Sequence, residues 1–255
     1  MKQRPAFPAR LDLKPAPGAT PPQLGRNTTT LPPVQGLGMD SQAVRSRMVQ
    51  RLMEEGIQDE MVLGAMARIE RHRFVDTGLV NQAYEDTSLP IGLGQTISKP
   101  SVVARMIALL REGHNLRVNG KLGRVLEIGT GCGYQAAVLS QVAKEVYSVE
   151  RLRGLHERAV DNLRHLRQAN LHLILGDGMA GYAQGAPYAG IIAAAGGESL
   201  PQAWLDQLAM GGRLVAPMVT AQGQQALAVV ERTAQGFQHQ RLEAVNFVPL
   251  KSGIA

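Results

Sequence analysis

Residues 123–134 read GRVLEIGTGCGY: a short apolar run, an acid, then three glycines at every second position. The run has the length of a buried strand, and glycines straight after it let the backbone turn sharply and lie close to a ligand. The spacing is Glu127-x-Gly129-x-Gly131-x-Gly133. A dinucleotide fingerprint would need a glycine where Tyr134 stands, and the Gly-Lys-Ser/Thr of a phosphate loop is absent. A glycine turn with an acid two residues before it suits a ligand that is cationic and carries no phosphate.

Toward the C-terminus, helical and strand-like segments alternate. QAAVLSQVA (135–143) reads as a helix and EVYSVE (145–150) as a strand. LRGLHERAVDNLRHL (152–166) is a helix with Leu155, Ala159, Leu163 and Leu166 on one side. LHLILGDG (171–178) is again a strand, followed by AGIIAAA (189–195), the helical PQAWLDQLA (201–209), GGRLVAPM (211–218) and ALAVVER (226–232). Strands separated by helices of this length predict an α/β fold: a doubly wound, Rossmann-like, mostly parallel sheet flanked by helices. Ligands of such sheets bind beyond the carboxyl ends of the strands.

Toward the N-terminus the grammar is helical. DSQAVRSRMVQRLMEEG (40–56) sets Val44, Met48 and Leu52 on one face behind an Asp/Ser cap. DEMVLGAMARIER (59–71) repeats the pattern with Asp59 as cap and Val62, Met66 and Ile69 inward. PIGLGQTISKPS (90–101) reads as a loop, with Pro100 in the first turn of a third helix that Ser98 could cap. Three segments follow: a Pro-rich basic tail over 1–39, a helical segment with an active-site loop over 40–122, and an α/β ligand-binding domain over 123–255.

Composition narrows the function classes. Of a formal net charge of +6, residues 1–39 supply five basic side chains against one acid, together with eight of the fourteen prolines. Such a segment cannot bury enough apolar surface to offset chain entropy and is expected to be disordered. The remaining body is nearly neutral, so no specific nucleic-acid partner is expected. No apolar run is long enough to span a membrane, and the start lacks the apolar core of a secretory signal. A single cysteine, Cys132, excludes a disulfide framework and suits the cytoplasm. The histidines at 72, 114, 156, 165, 172 and 239 show no metal-ligand spacing, so no metal is expected. A monomer is expected.

Three acids end three successive predicted strands. Glu127 can offer negative charge to an ammonium group. Glu150, 19 residues after Gly131, stands where an acid grips ribose hydroxyls. Asp177, beside Gly178, can accept from an adenine amine. Any one of them could be a solvated strand end. An amino acid, a ribose and an adenine together describe S-adenosylmethionine.

At this point the sequence resembles class I S-adenosylmethionine-dependent methyltransferases. RHRFV, AYEDTSLPIGLGQTISKP, VLEIGTGCGYQAAVLS, VYSVER, GDG, GGRLVAPM and FVPL are similar, in order, to the protein-L-isoaspartate O-methyltransferase family over about residues 41–251. The resemblance implies Ser98 in the active site and peptide lying over Thr96, Ile97, Ser98 and Val248. It implies methylation of the free α-carboxylate of isoaspartyl residues in damaged peptides and proteins, after which the ester closes to a succinimide without the enzyme. Such an acceptor is already anionic, since a carboxylate pKa is about 4. It needs orientation and a dry, uncharged pocket, and no base.

Two departures stand out. The family's Tyr-Asp-Ala is Tyr188-Ala189-Gly190 here, which implies a roomier pocket floor or a looser fourth strand, and an imidazole found after the proline is Ser101 here. Two other readings compete: a methyltransferase for a different carboxylate or small molecule, and a non-catalytic binder built on the same fold. Deleting residues 1–39 is expected to leave the melting temperature and methyl transfer nearly unchanged, and a large loss of either would contradict the disorder assignment.

Overall fold

The computed structural model describes residues 42–113, 117–118 and 120–255, which belong to one compact unit. The expected tail, the first helix's Asp40 and Ser41, and His114 lie outside the described residues.

Three helices open the described chain: α1 (Gln42–Glu54), α2 (Glu60–Arg68) and α3 (Pro100–Arg111). Asp59 caps α2 as expected, accepting from Met61 N and Val62 N at 3.0 and 3.1 Å. The same carboxylate takes Arg111 Nε at 2.7 Å, which ties the start of α2 to the end of α3. The stretch read as a loop holds a small antiparallel hairpin, β1 (Leu89–Gly92) and β2 (Gln95–Ile97). Leu93 and Gly94 turn it, both at positive φ (+51° and +68°), a geometry that matches the right-handed strand twist.

The main sheet contains β3 (Arg117–Val118), β4 (Lys121–Ile128), β5 (Ala143–Glu150), β6 (Leu171–Leu175), β7 (Tyr188–Ala193), β8 (Leu208–Val219), β9 (Gln225–Thr233) and β10 (Gly236–Val245). Its order is β10-β9-β8-β7-β4-β5-β6, with β3 paired to the start of β4. Strands β6, β5, β4, β7 and β8 run parallel in that order, whereas β8, β9 and β10 form an antiparallel flank. The chain leaves β4 to one side for β5 and β6, then returns to its other side for β7. That reversal opens a crevice at the carboxyl ends of β4 and β7.

Central strands are buried on both faces. Val125, Ile192 and Val215 join a core with α1–α3, α4 (Tyr134–Val142) and α5 (Arg153–Leu163). Leu126, Ile191 and Leu214 face the opposite way, toward Trp204 of α6 (Gln202–Gln207). The fourth predicted strand is firmly packed: all six residues of β7 are buried. A Cβ on Gly190 would meet Leu110 of α3 at 2.9 Å, so the small residue admits a core leucine and leaves the pocket floor no wider.

Polar contacts fix the hairpin and the segments on either side of it. Arg71, fully buried, donates from Nε to Ala83 O at 2.7 Å and lies 4.8 Å above the Tyr134 ring. Burial lowers its pKa, against the pull of Tyr134 and other neighbours. From α5, Arg158 donates to Ile91 O at 2.6 Å and to Asp76 at 2.8 Å. Asp86 accepts Ser101 N at 2.8 Å and Ser101 Oγ at 2.7 Å. Asp86 therefore caps α3 from outside the helix; Ser98 does not, since Lys99 holds the cap position and no cap side chain bonds there.

Arg71→Ala removes hydrogen bonds to the Ala83 and Thr87 carbonyls and leaves a cavity at a fully buried site. It is expected to cost about 2–4 kcal/mol. Arg71→Lys should recover only part, because an ammonium lacks the planar fork. Denaturant unfolding of the three proteins checks this, and a parent-like midpoint for Arg71→Ala would refute it.

Candidate active site

Two clefts open at the carboxyl ends of the parallel strands. The first, of about 430 Å³, is walled by residues from four strand ends: Gly129 and Gly131 after β4, Glu150 at the end of β5, Gly178 after β6 and Ala194 after β7. The second, of about 400 Å³, lies between α3 and the segment after β10 and includes Ser98, Lys99 and Phe247. Thr96, Ala194 and Val248 line both. A small space of about 40 Å³ lies between them, against Thr96, Ile97, Ser98, Gly129, Gly131 and Gln135.

The glycine loop divides its labour. Gly131, at φ +56°, faces the first cleft, and a Cβ there would crowd Ile91 at 3.2 Å. Gly133, at φ +92°, packs on α5 instead: a Cβ would strike Leu163 at 2.8 Å. Gly133 thus sets the approach of two helices and does not line either cleft.

Glu150 is 5 % exposed and lines the first cleft. Its Oε2 accepts Gly131 N and its Oε1 accepts Leu152 N, both at 2.9 Å. Each oxygen keeps a lone pair for a ligand hydroxyl. Asp177 lies behind the wall. It accepts Met179 N at 2.9 Å and Gly253 N at 2.8 Å, while its neighbour Gly178 reaches the cleft. Trp204 Nε1 holds the Gly178 carbonyl at 2.8 Å, so the lone tryptophan braces this wall as well as filling the core.

Glu127 sits one layer beneath the loop, with no exposed surface. Ser148 Oγ donates to its Oε2, and Ser148 Oγ lies 2.6 Å from Thr130 Oγ1. Burial pushes its pKa up to about 8, opposed by the Ser148 hydrogen bond and the nearby Gln135 amide and assisted by the charge of Glu150. Glu127 Oε1 and Gln135 Nε2 are buried without a hydrogen-bond partner among the described residues. A buried acceptor and a buried donor left open beside a glycine turn fit a zwitterionic amino-acid group.

Residue types alone did not point to Leu93, Gln135, Lys99 or Ala194. Leu93, at a strained positive φ and 62 % exposed, lines the first cleft and reaches toward Gly154. The run of small residues after β7 was the available signal for Ala194, since two clefts can share a wall only where side chains are short. Cys132 is buried in the loop, and desolvation raises its thiol pKa, the reverse of what a nucleophile needs. No group of three His, Cys, Asp or Glu side chains able to hold a metal occurs among the described residues.

A parallel sheet with this glycine turn, an acid at the second strand end and a second cleft sharing the first one's walls defines an S-adenosylmethionine-dependent methyltransferase of class I. The residues fit that cofactor: Glu150 toward hydroxyls, the open atoms of Glu127 and Gln135 toward the amino-acid end.

The particular family follows from comparison. The chain belongs to the protein-L-isoaspartate(D-aspartate) O-methyltransferase family, whose model matches residues 43–255. The protein-L-isoaspartate O-methyltransferase of Methylibium petroleiphilum is 58% identical over 270 residues, covering 98% of each chain. That of Leptothrix cholodnii is 58% identical over 245 residues, covering 94% of this chain and 85% of its own. A solved protein-L-isoaspartate O-methyltransferase superposes with a TM-score of 0.73 at 28% identity, over 82% of this chain and 67% of that one. A Plasmodium falciparum structure described as the same kind of enzyme, in complex with S-adenosyl-L-homocysteine, shares the fold at a TM-score of 0.69 and 23% identity. It is matched over 98% of its length and 81% of this chain.

The raised pKa of Glu127 has a signed consequence for stability. Below about pH 4.5 the carboxyl is neutral folded and unfolded. Between there and about pH 8 only the unfolded chain ionises, so the folded state loses up to about 1.4 kcal/mol per pH unit. Glu127→Gln, neutral throughout, is therefore expected to melt near the parent at pH 4.5 and increasingly above it toward pH 8. Melting curves across that range test this; a gap that does not change with pH would refute it.

Proposed function

We propose that the first cleft holds S-adenosylmethionine and the second receives the α-carboxylate of an L-isoaspartyl residue in a damaged peptide or protein. The chain then transfers a methyl group to that carboxylate and starts repair through a succinimide. The observation that carries the reading is the shared wall: Thr96, Ala194 and Val248 border both clefts, and Ser98 stands on the acceptor side. Residues 40–122 and 123–255 then share the acceptor cleft evenly, while 123–255 supply most of the cofactor cleft.

S-adenosylmethionine supplies, when bound, a methyl group on a positively charged sulfur. Transfer of that methyl to a carboxylate oxygen would require no proton to move. Protein groups therefore orient and dehydrate. Thr96 and Ser98 offer hydroxyls that can hydrogen-bond a carboxylate without protonating it. Holding the reactants in line can contribute up to about 7–11 kcal/mol in favourable cases. A reducing, cytoplasmic setting suits a chain whose lone thiol is buried in the cofactor loop.

Radiolabelled methyl transfer to an isoaspartyl peptide, beside its normal aspartyl twin, tests the reading; labelling of the isoaspartyl form alone is expected. Ser98→Ala should lower kcat on the order of 10- to 100-fold with cofactor affinity nearly unchanged. Unchanged turnover would remove Ser98 from the reacting centre.

A further inference from the structure

The second cleft has a peculiar charge balance. Its polar lining comes from Ser88, Thr96, Ser98, Ser101 and Asn246, and among its described residues Lys99 alone is charged. The acids nearby are engaged elsewhere: Asp86 holds Ser101 through both oxygens, and Glu243 pairs with Arg105 at 2.8 Å. Lys99 is exposed, and although its carbonyl accepts Val103 N at 3.1 Å, its ammonium makes no hydrogen bond or ion pair with the described residues. It directly follows Ser98 and sits at the N-cap of the 12-residue α3, whose first-turn N–H at Ser101 is taken by Asp86, so the ammonium is the cleft's own charge. The sequence led to an uncharged pocket; the structure puts one unpaired cation on its rim.

We propose that Lys99 is a positioning residue for the acceptor: its ammonium draws the incoming carboxylate into the second cleft and favours it over the neutral methyl ester that leaves. This rests on the isoaspartyl reading of that cleft. Exposure matters to the design. A buried cation would bind the carboxylate tightly and pull electron density from the oxygen that must attack. A hydrated one gathers the anion, then yields it to the hydroxyls of Thr96 and Ser98. Methylation cancels the acceptor's charge, so the product leaves without opposing that attraction.

Steady-state kinetics of the full chain on an isoaspartyl peptide, between about 20 and 300 mM NaCl, test the proposal. Lys99→Met is expected to raise the peptide KM roughly 2- to 5-fold at low salt and to flatten its rise with salt, with kcat within about 2-fold. Lys99→Arg should restore both features, and Lys99→Glu should raise KM further, on the order of 10-fold. KM for S-adenosylmethionine should not move. Lys144→Met, which makes the same change in net charge at an exposed site on the opposite end of β5, controls for the overall field. Parent-like KM and parent-like salt response in Lys99→Met, or a loss confined to kcat, would overturn the role. A parent enzyme that leaves the isoaspartyl peptide unmethylated at every salt overturns the acceptor assignment itself, and this inference with it.

Discussion

The carboxylate of Glu150 holds two backbone N–H groups, one on the glycine turn at Gly131 and one at the threshold of α5 on Leu152. The turn would otherwise be a run of left-handed glycines with little to choose between conformations, because glycine loses more freedom on ordering than any other residue. Anchoring it to the end of the neighbouring strand makes the cleft wall as rigid as the sheet. Two backbone bonds also leave the carboxylate acceptor capacity toward the cleft. Beneath it, Glu127 is buried without a cation, and its elevated pKa follows from the same geometry.

The acceptor side is built differently. Its hairpin is two short strands that could not hold themselves. Arg158 holds it at the Ile91 carbonyl, and Arg71 and Asp86 fix the flanking segments at Ala83 and Ser101, so groups distant from the chemistry help set where Thr96 and Ser98 stand. A rigid cofactor wall thus faces an acceptor wall positioned by ion-assisted bonds from several elements.

Sequence patterns revealed the parts whose physics is local. Central strands show as apolar runs because both faces are buried, and α1–α3 show as four-residue periodicity. Acids at strand ends are visible because topology places every such end at one rim. Other features depend on partners far along the chain. β10 was missed because GFQHQRLEAV is an edge strand whose exposed polar residues erase the alternation. The hairpin turn was missed because Leu93 is a poor marker for positive φ. Asp86 caps a helix that starts well downstream, which no local cap rule anticipates. Ser98 illustrates the converse error: the local rule offered it a cap role that Asp86 had taken.

Thr96, Ala194 and Val248 each belong to two cavities, so neither cavity has a shape of its own. Whatever occupies one sets the contour presented to the other. Thermodynamic reciprocity then binds the two ligands: any factor by which the methyl donor sharpens affinity for the peptide, the peptide must return to the donor. The short side chain of Ala194 makes that partnership intimate, and the order in which the two arrive becomes a property of the common boundary.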